Sequence, residues 1–63
     1  MTNERKDELY AALVREAEAR TATGYTVTRF EMLKIMDEQH GIKLNRESLD
    51  LVEKLYADGF VKA

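Results

Sequence analysis

The sequence contains no cysteine, no proline and no tryptophan, and only one histidine and one serine. Without cysteine neither a disulfide nor a thiolate metal site can form, so the usual staples of very small domains are missing. No apolar run approaches the roughly 20 residues that a membrane-spanning helix needs. The first twenty residues carry charges throughout, unlike a secretory leader. These absences predict a cytoplasmic protein with no membrane partner. With His40 and Ser48 alone of their types, nucleophile–base pairs are nearly out of reach. Asp37 and Glu38 are adjacent, so on a helix their carboxylates point about 100° apart rather than toward one proton. The expectation is a protein that is not an enzyme and holds no cofactor and no metal.

What remains is a 63-residue chain of formal net charge −2, with 44% hydrophobic and 35% charged residues of both signs. That balance belongs to a folded helical domain rather than a disordered one. The length suits a single domain spanning residues 1–63. A chain this short buries only about 60% of the surface it exposes when unfolded. Its core rarely supplies more than about 3–5 kcal/mol of net stability. Well-matched helices, self-association or a partner must supply the rest.

Gly24, Gly41 and Gly59 fall at nearly even intervals, and each ends a stretch of helical periodicity and precedes an apolar residue. Glycine just past a helix end can adopt the left-handed conformation that closes the last carbonyls. The chain therefore reads as three helices. The first is expected from about Glu4 to Arg20, capped by Thr2 or Asn3, with Leu9, Tyr10, Leu13, Val14 and Ala17 as its apolar stripe. Glu16 and Arg20 are spaced to pair on its wet side. Thr21–Thr23 let it fray into a loop.

Thr28-Arg29-Phe30-Glu31 is a capping-box signature, flanked by Val27 and Met32 at the two positions of a hydrophobic staple. Phe30, Met32, Leu33, Ile35 and Met36 make the second helix apolar over a wide arc, as befits a central helix ending near Gln39 or His40. The third helix repeats the device: Asn45 caps it, and Leu44 and Leu49 are placed to staple. Leu49, Val52, Leu55 and Tyr56 form its expected buried stripe, with Leu51 at the edge. Phe60 is placed to fold back on Leu55 beyond Gly59. The expected architecture is mainly α, a compact three-helix bundle with a minimal two-strand pairing of Tyr25–Val27 with Phe60–Lys62.

The order of elements across Thr28–Val61, and the ending Leu55-Tyr56-Ala57-Asp58-Gly59-Phe60-Val61, resemble a winged-helix, helix-turn-helix domain without its wing. That resemblance implies a third helix lying in the major groove of DNA. Charge argues otherwise. Between Asn45 and Asp58 the third helix sets Arg46 and Lys54 against Glu47, Asp50, Glu53 and Asp58. DNA affinity comes largely from neutralising phosphates with basic side chains, and this helix does the reverse.

Two sets of side chains stand out as candidate sites. Arg29 and Arg46 each follow a cap residue and place positive charge at the positive end of a helix dipole, with Lys43 near the second. One reading makes Arg29, Lys43 and Arg46 contacts for phosphate or another anion. The other makes the arginine stems covers for the stapling residues. The second set is Tyr10, Tyr25, Met32, Met36, Leu51, Tyr56 and Phe60, an apolar surplus suited either to a partner surface or to filling a small core. The function expected first is a small non-enzymatic interaction module, a regulator or inhibitor that binds a partner protein or itself as a homodimer. The alternative is a minimal helix-turn-helix DNA-binding protein acting as a transcriptional regulator.

Overall fold

Each helix starts where a short polar side chain takes over amides that the helix itself leaves free. In the computed structural model, which describes residues 2–63, α1 spans Asn3–Ala22, α2 Arg29–His40 and α3 Arg46–Ala57. Thr2 Oγ1 accepts from the Arg5 amide (3.1 Å) and Thr28 Oγ1 from that of Glu31 (3.1 Å), while Asn45 Oδ1 accepts from Ser48 (2.9 Å). Among the described residues only α3 completes the reciprocal box: the Asn45 amide donates to Ser48 Oγ at 2.9 Å. At α2 the Thr28 half of the expected box is present, and the Glu31 carboxylate instead accepts from the Tyr25 hydroxyl.

The first helix runs two residues beyond Arg20 rather than fraying. Thr21 Oγ1 donates to the Ala17 carbonyl (2.8 Å) and Thr23 Oγ1 to that of Arg20 (2.7 Å), so the hydroxyls extend the last turn. Glycine then stops it. Gly24, Gly41 and Gly59 have φ of 86°, 66° and 88°, the left-handed region that a Cβ disfavours. At Gly59 the closure is a Schellman pair, Phe60 N–H to Leu55 O (2.9 Å) and Gly59 N–H to Tyr56 O (3.1 Å). Gly24 closes α1 the same way, with Tyr25 N–H to Arg20 O and Gly24 N–H to Thr21 O.

The core consists of Leu9, Leu13 and Ala17 from α1, Met32, Ile35 and Met36 from α2, and Leu51, Val52 and Leu55 from α3, plugged by Val27 and Val61. The Val27–Met32 staple is buried on both sides. Leu13 and Val52 lie inside, with Leu33, Tyr10, Val14, Ile42 and Phe60 packed at the edge. Helix α3 packs against both other helices. The Cα radius of gyration, 10.7 Å, is close to the roughly 10.6 Å of a compact chain of this length.

Three sequence expectations are corrected here. Phe30 and Leu49 are not core residues: they are 77% and 44% exposed. The helical turn of 100° per residue explains both, since Phe30 lies 160° around α2 from Met32 and Leu49 lies 100° around α3 from Ser48. Leu51, not Leu49, takes the buried position, and the Leu44–Leu49 staple is left open with Leu44 69% exposed. Tyr56 is likewise outside the core.

The second correction concerns the strands. Among the described residues there is a single parallel bridge, Thr28 with Lys62, made by Arg29 N–H to Lys62 O and Lys62 N–H to Val27 O, both 2.8 Å. No ladder grows from it because Thr28 is already the cap of α2, and the backbone turns helical at the next residue.

The third is the Glu16–Arg20 pair. Arg20 bonds the backbone carbonyl of Glu16 (3.3 Å), while the Glu16 carboxylate faces His40 Nε2 at 3.1 Å. Gln39, with its amide oriented to satisfy both neighbours, donates to Glu16 Oε1 (2.9 Å) and accepts from Arg20 (3.1 Å). His40 thus latches the end of α2 to the middle of α1.

Candidate protein-interaction site

The residues turned away from the core gather on one side of the α2–α3 pair. Phe30 and Leu33 from α2, and Leu49 and Glu53 from α3, line an open cavity of about 520 Å³ floored by Val52 and edged by Thr28, Arg29 and Ala63. All four lie 100–160° around their helices from the buried stripe, which puts them on adjoining flanks. Arg29 closes one end. Its guanidinium is 2.7 Å from Glu53 Oε1 and 4.7 Å above the Tyr56 ring. Leu44 is exposed just before α3 begins.

The expected cationic set is not brought together. Arg29 stands at the start of α2, whereas Lys43 and Arg46 lie beyond its far end, about 18 Å of helix away. Arg29 is engaged with Glu53 and Tyr56, and Lys43 Nζ is 2.9 Å from Asp37 Oδ1. Arg46 is exposed at the first turn of α3. The anion reading therefore loses its cluster: two of the three cations face carboxylates of the chain itself.

The expected apolar surface divides. Met32, Met36 and Leu51 are core residues, so they cannot meet a partner; each lies on the stripe that α2 or α3 turns inward. Phe60 packs against the core edge. Tyr25 is exposed, and its hydrogen bond and charge contact with Glu31 raise its pKa. Tyr10 lies away from Phe30, in a cleft between α1 and α3 lined also by Lys6, Asp7, Glu47, Asp50 and Lys54. Its hydroxyl donates to Asp58, and Lys54 Nζ sits 4.5 Å over its ring. Burial, the hydrogen bond and the Asp58 charge push the Tyr10 pKa up to about 12. Of the expected set, Tyr56 alone borders the α2–α3 cavity, through its contact with Arg29.

No family model, curated protein or solved structure matches the chain.

Sequence reasoning passed over Phe30, Leu33, Leu44 and Leu49 as surface residues. The signal was present in α2, whose apolar residues cover an arc too wide for a single core to absorb. Among the described residues no group of three or more His, Cys, Asp or Glu side chains is arranged to hold a metal ion, and no helix is long and apolar enough to cross a membrane.

Proposed function

We propose that the protein is a non-enzymatic interaction module, a regulator or inhibitor that binds a partner protein or a second copy of itself through the α2–α3 face. The observation that carries this reading is Phe30, 77% exposed at the mouth of an apolar cavity. A large aromatic left in water beside Leu33 and Leu49 forgoes burial free energy, and contiguous apolar patches of this kind mark contact sites. The Arg29–Glu53 pair and Tyr56 supply the polar and aromatic rim typical of such surfaces.

The test is affinity capture from the cells that make the protein, run beside a measurement of self-association. A partner, or a second copy, held by the wild type and lost by Phe30→Glu with helix content unchanged supports the reading. Capture and self-association that are both absent, or both indifferent to Phe30, overturn it.

Exposed Arg46 at the start of α3, together with the resemblance to helix-turn-helix domains, favours DNA binding as a second reading. Glu47, Asp50 and Glu53 on the outer flanks of the same helix weigh against it, because they would face phosphates. Titration of the protein with duplex DNA at low salt separates the two. A cytoplasmic location fits either reading.

A further inference from the structure

The outward stripe of α3 carries a self-complementary pattern. Arg46, Leu49, Glu53 and Tyr56 lie 80–160° around the helix from the buried stripe, at spacings of three, four and three residues, and so share one flank. Arg46 and Glu53 are seven residues apart, about 10 Å along the axis, with Leu49 beside the midpoint. If a second α3 is laid antiparallel about a two-fold axis at Leu49, Arg46 of each copy meets Glu53 of the other. Leu49 then meets its own equivalent. Nothing in the stripe is placed against a like charge.

The neighbouring apolar residues follow the same symmetry. Phe30 flanks the stripe at its Glu53 end, and Leu44 stands at its Arg46 end, two residues before that arginine. Rotation about Leu49 carries each of these exposed side chains toward the end of the partner where the other lies. A two-fold interface must pair residue i with j and j with i, and these side chains meet that condition.

We infer that the occupant of the α2–α3 face is a second copy of this chain, docked as an antiparallel two-fold dimer about Leu49. This rests on the reading that the face is an interaction surface, and it names the partner. Charge fits the choice. The ionised groups at the two ends of the face, Arg29 with Glu53 and Lys43 with Asp37, are already neutralised in pairs, so two copies of a chain of net charge −2 can approach here without strong repulsion. Area fits as well. Half of a standard interface, about 800 Å², is a little under a fifth of the 4323 Å² surface. A patch of this extent sits at the low end of specific interfaces, which places dissociation in the micromolar range.

Sedimentation equilibrium of the full chain, from about 1 µM to about 1 mM, tests the inference around the expected dissociation constant. The expected result is a monomer–dimer equilibrium that Leu49→Asp shifts at least about tenfold toward monomer, with the helical circular dichroism retained. Arg46→Glu and Glu53→Arg should each weaken the homodimer, because each sets like charges against each other twice. Mixed together, those two variants should form a heterodimer, since both charge pairs across the two-fold axis are then of opposite sign again. A chain monomeric across the range overturns the inference, and so does a dimer indifferent to Leu49→Asp and to the charge swap. In either case, capture of a different protein that Phe30→Glu abolishes leaves the interaction reading standing.

Discussion

Arg29 Nη1 lies 2.7 Å from Glu53 Oε1, and this contact ties the first residue of α2 to the second half of α3. The pair closes one end of the apolar cavity and holds the arginine over Tyr56. Both side chains remain substantially exposed, so the bond positions the rim more than it stabilises the fold. A double-mutant cycle of Arg29→Ala and Glu53→Ala is expected to give a coupling of about 0.5 kcal/mol, reduced in 1 M salt by screening. A coupling several times larger would mean that the pair is a structural strut.

The core and the α2–α3 face make opposite predictions for two residues of the same helix. Met36→Ala empties a fully buried site and should cost about 2–5 kcal/mol, enough to unfold much of a domain this small. Phe30→Ala removes a larger side chain from an exposed site and should change the monomer's stability by no more than about 0.5 kcal/mol. Urea denaturation of the two variants checks both values.

Among the described residues Ser48 is the one buried polar side chain, 1% exposed. Its hydroxyl accepts from the Asn45 amide and donates to the Asn45 carbonyl, both at 2.9 Å. Ser48→Ala keeps the shape of the site and strands that amide, so a loss of about 1–2 kcal/mol is expected. Asn45→Ala should cost a similar amount, and the two losses should not add, because they remove one reciprocal unit. Thermal unfolding of both singles and the double variant decides this.

The Tyr10 hydroxyl gives the fold an alkaline limit. Its pKa rises from 10.0 to about 12, which means the neutral phenol is the form that the folded state favours. Its contribution is complete below pH 10 and disappears as pH climbs through 12. Tyr10→Phe should therefore cost about 1 kcal/mol at neutral pH, and the gap between wild type and variant should shrink as the pH rises across that window. Stability measured against pH for the two proteins, with Tyr25→Phe as a control, shows whether the effect belongs to Tyr10.

Helix ends were readable because they depend on residue type at single positions: Thr2, Thr28 and Asn45 as caps, and glycine at the three left-handed stops. The stripe of α1 was readable because Leu9, Leu13 and Ala17 repeat at strict helical spacing. The facing of α2 and α3 was not. Both helices are apolar on two flanks, and periodicity alone does not tell which flank meets α1. Met36 and Phe30 could have exchanged roles on pattern alone; the position of α1 decides it. The latch of His40 to Glu16, and the attachment of Arg29 to Glu53, depend on tertiary approach between residues twenty-four apart, and no local spacing announces them.

The bridge between Thr28 and Lys62 is small, yet it turns α2 and α3 into a closed ring of chain. Each of its two hydrogen bonds is local to a helix start or to the segment after a helix, but together they span the whole second half of the molecule. Opening either end therefore releases both, and the two helices unzip as one event rather than peeling singly. The amides of Arg29 and Lys62, at positions that would ordinarily fray, acquire the slow exchange of a mid-helix site.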